Sequence, residues 1–183
     1  MSQRLHRVRN LWVDTRAVAA VEFAIVVPFM LLLYVGGVEL GNGLAISVKV
    51  SETVHTVADL VSRNACVTDS SLSTMLGASS ATIAPYSSAN MAVVVSEVST
   101  DASGNATVTW SNALNGVPLT PTQPITLPAA LGTPSPSNIS LILGQVTYNY
   151  TPNLGYTISG TIPISDSYYL FPRVSSAVQY PCS

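Results

Sequence analysis

The residues from Ala17 to Val38, AVAAVEFAIVVPFMLLLYVGGV, form an apolar run whose only ionisable groups are Glu22 and Tyr34. An α-helix rises ~1.5 Å per residue, so a helix of this length crosses a hydrocarbon core of ~30 Å. Arg4, Arg7, Arg9 and Arg16 precede the run, and only Lys49, Arg63 and Arg173 follow it. Positive residues stay on the cytosolic side of an inserted helix. The sequence therefore predicts a basic cytosolic arm over 1–16, a transmembrane helix over 17–40 and an exported remainder. Trp12 reads either as an interfacial anchor or as an ordinary exposed aromatic in a loose arm. Pro28 removes one backbone hydrogen bond and is expected to kink the helix, a defect that membrane helices tolerate. A cleavable secretory signal would need a shorter apolar core and a small-x-small site after it. The following VELGNGLAISVKV has no such site and puts Glu39 where cleavage would fall. A buried soluble helix leaves the four flanking arginines unexplained.

Glu22 is a carboxylate inside an apolar run, at a cost of about 2–3 kcal/mol if it sits deep, so it is a functional candidate by default. Position alone leaves a second reading open, in which Glu22 lies close enough to the cytosolic headgroups to stay hydrated. The surrounding residues add more. Arg16-Ala17, the short apolar stretch Val18 to Val21, Glu22-Phe23, Pro28 within the long apolar helix and Glu39-Leu40-Gly41 near its end follow one pattern. That pattern closely resembles the N-terminal segment of TadE-like proteins, pseudopilins of the tight-adherence (Tad/Flp) branch of type IV pilus systems.

The resemblance covers about Asp14 to Gly43. It implies cutting by a prepilin peptidase between Ala17 and Val18, with Ala17 standing where the family usually has Gly. Glu22 then becomes the fifth residue of the mature chain. The new α-amine on Val18 would lie about one helical turn from the carboxylate, and pairing with that amine or a neighbouring subunit's would offset the cost of either charge in an apolar setting. Glu22 and Phe23 are thus the expected subunit-docking residues. The implied partners are other pilin-like subunits, the pilus assembly platform and, transiently, the peptidase. The implied location is a bacterial inner membrane, N-terminus in the cytoplasm and C-terminal domain in the periplasm, with the pilus itself as a further destination.

After Gly41 and Gly43, LAISVKVSETVHTVADLVSRN keeps helical spacing. Leu44, Val48, Val54, Val57, Ala58 and Val61 fall largely along one side, and Lys49, Glu52, Thr56, Asp59 and Ser62 lie elsewhere. The expectation is an amphipathic periplasmic helix over 41–64, stopping at Asn64. Glu52, His55 and Asp59 have spacing that suits metal ligation, but a Glu-x-x-His pair needs a second copy on a partner helix, and there is none. A solvated face is the better reading, and no metal or cofactor is expected.

The rest, 65–183, reads as a β-rich head. Residues 70–88 are small and polar and read as a loop with one short helical turn. Met91–Val98 and Ala106–Trp110 flank Asp101-Ala-Ser-Gly-Asn105, a hairpin signal that places Ala106, Val108 and Trp110 on one face. The stretch Val117–Pro136 holds six prolines and reads as a loop. In the next strand Val146, Tyr148 and Tyr150 face one way, and Gln145, Thr147 and Asn149 the other. A turn over Thr151–Gly155 leads to Ile158, Ile162 and Ile164, with Pro163 marking an edge or bulged strand. A last short strand is expected at about Val174–Tyr180. Four or five antiparallel strands make one sheet packed on the outer half of the long helix, an α+β, pilin-like fold.

Cys66 and Cys182 both fall on the exported side, where disulfides persist. Two free buried thiols are the alternative, and the bridge is favoured. Asn105-Ala-Thr, Asn138-Ile-Ser and Asn149-Tyr-Thr match a glycosylation pattern that arises by chance in a Ser/Thr-rich chain. The tyrosines fit an interaction surface and half-buried strand positions equally well.

Seven basic against nine acidic residues exclude the basic face of a nucleic-acid binder. No nucleophile elbow, phosphate loop or Cys-x-x-Cys site occurs. Acid–base work would have to draw on Glu97, Asp101 and Asp166, so neither catalysis nor a small-molecule substrate is expected. The reading is a minor pilin or pseudopilin that acts in assembly or structure of a Tad-type pilus. Its rival is a membrane-anchored periplasmic binding module or adhesin that never enters a filament, and an anchored hydrolase comes third.

Overall fold

The computed structural model describes residues 15–132, 136–152 and 160–182. The arm over 1–14, most of the Thr151–Gly155 turn and Ile158 lie outside the described residues. The chain divides into two compact units, one holding the helix up to Asn42 and the other running over Gly43–Thr151 and onward from Gly160.

A single helix, α1, spans Thr15–Ser62 and runs on through Pro28 without interruption. The 18-residue window that best fits a membrane span has a mean hydropathy of 2.4, and none of it is buried. At its far end the Asn64 side-chain amide donates to Leu60 O (2.8 Å) and the Arg173 N–H to Ser62 O (2.8 Å). These two bonds satisfy carbonyls that a helix terminus otherwise leaves orphaned.

In the second unit α1 buries Ile46, Val50, Val54, Val57, Ala58 and Val61. That row is spaced three to four residues apart and faces the sheet. Leu44 and Val48, expected on the same side, are exposed instead. The expected row followed 44, 48, 54, whereas the buried one follows 46, 50, 54, about half a turn round the helix at its start. Ser62 is also buried, its hydroxyl donating to Asp59 O (2.8 Å).

The sheet has five antiparallel strands in the order β3-β2-β1-β4-β5. They are β1 Met91–Thr100, β2 Ala106–Leu114, β3 Pro124–Ile125, β4 Ser140–Tyr150 and β5 Ile162–Leu170. The fold is α+β, a long helix packed on a small sheet. The helix comes close to the sheet at Gly144 of β4, where an added Cβ would lie 3.1 Å from Val54 Cγ2 and 3.2 Å from Val54 O. A side chain at this position would require the helix to give way by a few tenths of an ångström. Pro163 does sit on an edge strand, as its missing N–H requires.

Several local expectations are corrected. Residues 69–82 form a full helix, α2 (Asp69–Thr82), rather than a loop. Its Ser/Thr/Gly composition gives low propensity, but Thr68 and Ser71 close a reciprocal capping box, and Leu72, Leu76 and Ser79 are buried along one side. The Pro-rich stretch contributes β3, a two-residue strand with Pro124 opposite Thr107 on the sheet edge. No strand forms over 174–180. That segment pairs instead with the α1–α2 linker through Val67 N–H to Gln179 O (2.9 Å), Gln179 N–H to Ala65 O (3.0 Å) and Cys182 N–H to Val67 O (3.1 Å).

Ala106, Val108 and Trp110 are all buried, but not on one face. Glu97 pairs with Trp110 and Val98 with Val108, so Thr109 is an extra residue on β2. This β-bulge turns the alternation over. Trp110 therefore joins the helix-side core, while Ala106 packs on the opposite face with Val98 and Leu143, under Leu119, Ile125 and Leu127 of the Pro-rich stretch.

Candidate functional site

The first unit supplies an exposed apolar helix. Val18, Val21, Phe23 and Ile25 are all at least half exposed, Phe23 at 70 %. Glu22 is exposed in the same stretch. Ala17 lies on the helix backbone. Val18 and Glu22 are four residues apart on one helix, hence on the same side and about 6 Å apart along the axis. A carboxylate and a row of large apolar groups on one uncovered helix suit docking of another apolar helix. Towards the end of this unit Glu39 is buried, at 3 % exposure.

The second unit carries the remaining sequence candidates. Lys49 and Glu52 form an ion pair at 3.0 Å, and His55 lies against the Tyr168 ring with centroids 3.9 Å apart. Asp59 pairs with Arg63 and, at 2.8 Å, with Arg173. The helical Glu52, His55 and Asp59 are thus engaged with separate sets of neighbours, four in all, and do not converge.

Cys66 and Cys182 are joined in a disulfide, with their Cα atoms 5.6 Å apart and a sequence separation of 116. The bridge closes a clasp on the C-terminal segment, 171–182. Arg173 binds it to α1, and the Tyr180 hydroxyl donates to Asp69 at the start of α2. That bond, followed by burial, raises the Tyr180 pKa above its usual value. On the sheet side Trp110 Nε1 donates to Val178 O (2.7 Å).

Glu97 completes the clasp, and sequence reasoning missed this role. Its Oε1 accepts from the Ser140 hydroxyl (2.7 Å) and from the Val178 N–H (3.0 Å), and the residue is 2 % exposed. The available signal was a single acid inside the apolar run MAVVVSEV. A cavity of about 460 Å³ adjoins it, lined in part by Ser99, Thr109, Trp110 and Gln179. Asp101 and Asp166 stand apart from Glu97. Asp101 accepts from Asn105 Nδ2 (2.9 Å), Asn105 N (2.9 Å) and Ser103 N (2.8 Å) in the β1–β2 turn. The Asn105 side-chain bond first, then these backbone bonds, hold its carboxyl below the usual carboxylate value. Asp166 Oδ1 accepts from Ser167 N on β5 (2.8 Å).

A helix long and apolar enough to span a bilayer, continued into a small disulfide-closed β head, defines a class of α+β proteins with one membrane-spanning-capable helix. Within that class, residues 17–59 match the family model described as TadE-like protein. The chain therefore carries a TadE-like N-terminal helix, and that family is associated with Tad pili. No curated protein and no solved structure matches the chain.

Proposed function

We propose that this protein is a minor pilin or pseudopilin of a Tad-type pilus and acts in assembly or structure through its N-terminal helix, without catalysing a reaction. The supporting observation is the exposed apolar surface of α1 with Glu22 four residues beyond Val18, inside the TadE-like match. A large uncovered apolar surface calls for a lipid or helical neighbour. The carboxylate on it calls for a positive partner, and the amine released by cutting after Ala17 is the nearest in sequence. Other pilin-like subunits and the assembly platform are the partners this reading requires, with the head on the periplasmic side.

Mass spectrometry of the chain purified from its membrane tests the processing step. An N-terminus at Val18 is expected, and one at Met1 or Ser2 would favour an uncut anchor. Docking is tested by Glu22→Ala, which should abolish co-purification with pilin-like subunits and filament assembly while membrane insertion persists. Assembly that proceeds undiminished in this variant would rule out the role of Glu22.

A further inference from the structure

The cavity beside Glu97 is walled by three strands and by the C-terminal clasp. Glu97 and Ser99 of β1, Thr109 and Trp110 of β2 and Ser140 of β4 line it together with residues 177–181. Its volume, about 460 Å³, falls within the ~300–1,000 Å³ of small-molecule sites. Glu97 is the one lining residue that carries a charge. Buried carboxylates are as a rule paired with a cation or bound to a metal. Glu97 is 2 % exposed, yet among the described residues it forms no ion pair. The Ser140 hydroxyl and the Val178 N–H both donate to its Oε1, and among the described residues its Oε2 accepts no hydrogen bond.

The other polar groups of the lining leave acceptors over rather than donors. Trp110 Nε1 donates to Val178 O (2.7 Å), the Thr109 hydroxyl to Ser99 Oγ (3.0 Å), the Ser140 hydroxyl to Glu97 and the Tyr180 hydroxyl to Asp69. The hydroxyl oxygens keep lone pairs, while the Ser99 hydroxyl and the Gln179 side-chain amide can serve either way. A ligand that matches this set brings donors and a positive charge. The Trp110 and Tyr180 rings, with centroids 5.4 Å apart, add faces that attract an organic cation. A divalent metal is a poorer match, because it needs several oxygen ligands and the lining offers one carboxylate. Among the described residues no group of three His, Cys, Asp or Glu side chains could hold such an ion.

We propose that this cavity binds an alkylammonium group. Its N–H donors meet Glu97 Oε2 and the neighbouring hydroxyl oxygens, and its carbon chain lies along the Trp110 and Tyr180 rings. The ammonium belongs either to a free amine or to a lysine side chain of a partner protein. The site is built wholly within the second unit and does not depend on the pilus reading.

The test uses the full chain with its disulfide intact, in detergent micelles, carrying Trp12→Phe so that Trp110 is the sole indole. n-Butylammonium chloride is titrated at constant ionic strength, with butanol and butyrate as neutral and anionic probes of the same length. Trp110 fluorescence should change saturably with n-butylammonium alone. Glu97→Gln should weaken that binding about tenfold or more, the loss expected on removing a charge-assisted hydrogen bond. Thr109→Lys, at the exposed bulge residue, should weaken it similarly by bringing its own ammonium to the cavity, and it decides alone if Glu97→Gln does not fold. No saturable response to n-butylammonium, an equal response to butanol, or undiminished affinity in the folded variants would overturn the proposal. Nα-acetyl-lysine methylamide separates the two sources. Its binding with an affinity comparable to that of n-butylammonium assigns a lysine side chain, and its exclusion assigns a free amine.

Discussion

At Glu97 one buried carboxylate oxygen serves two donors, the Ser140 hydroxyl and the Val178 N–H. Glu97→Ala should therefore cost about 1–3 kcal/mol, the usual penalty for leaving buried donors unpaired. Glu97→Gln keeps an acceptor in place and should cost less, and chemical denaturation of the two variants measures the difference. Asp101 gives a prediction in pH. Its folded pKa is depressed, so its contribution is fully present above the unfolded value of about 4 and is lost as pH falls through the folded one. Asp101→Asn should flatten the decline of the unfolding midpoint as pH falls below about 4. An unchanged acid slope would show that the turn carboxylate is not linked to folding. Glu97 was visible in the sequence only as an isolated acid, because its partners come from β4 and from a segment 81 residues away. Asp101 was legible as a turn residue, since the bonds that lower its pKa lie within four positions. Trp110 shows what alternation misses. A period of two assigns it to the face of Ala106 and Val108, and the extra residue Thr109 becomes apparent only once β1 is aligned beside it.

Among the elements, the contact of α1 with β4 depends most on one position. An added Cβ on Gly144 would meet the Val54 carbonyl oxygen at 3.2 Å, and a helix backbone oxygen cannot rotate aside as a side chain can. Gly144→Val should then push the helix from the sheet and cost about 1–3 kcal/mol, the typical penalty of overpacking. Thermal unfolding tests this, and a rise in midpoint would mean that relief of glycine's chain entropy outweighs the clash. The long helix, the β1–β2 hairpin and β4 were legible because each is written in local periodicity. The helix α2 was not, since its stability comes from a cap and from packing of Leu72 and Leu76 that outweigh poor propensity. The strand expected at Val174–Tyr180 failed for the opposite reason. Its β-prone residues meet the Ala65–Val67 linker and leave β5 as the last strand of the sheet. The β5 edge is itself blunted, because Pro163 has no N–H and the Ser167 N–H is taken by Asp166.

On the scale of the whole molecule, the C-terminal segment ties together parts of the head that sequence separates widely. It meets α1 through Arg173 and Asp59, α2 through Tyr180 and Asp69, and the sheet through Val178, Glu97 and Trp110. The Cys66–Cys182 bridge is its one covalent hold. Exposed ion pairs such as Arg173–Asp59 contribute about 0–1 kcal/mol each, too little to keep a chain end in place alone. Closing so long a loop by a disulfide stabilises by about 2–5 kcal/mol, so the bridge dominates. The double variant Cys66→Ser, Cys182→Ser should lower stability by that order, and it should also loosen the segment before the sheet unfolds. Trypsin separates these two effects. Arg173 stands at the start of the segment with its side chain half exposed, whereas Lys49 and Arg63 lie on or at the end of α1. In the double variant, cleavage after Arg173 should accelerate several-fold at temperatures where the head remains folded by circular dichroism. If cleavage instead keeps pace with global unfolding, the hydrogen bonds to Glu97 and Trp110 hold the segment by themselves. The bridge would then stabilise the head only through the unfolded chain.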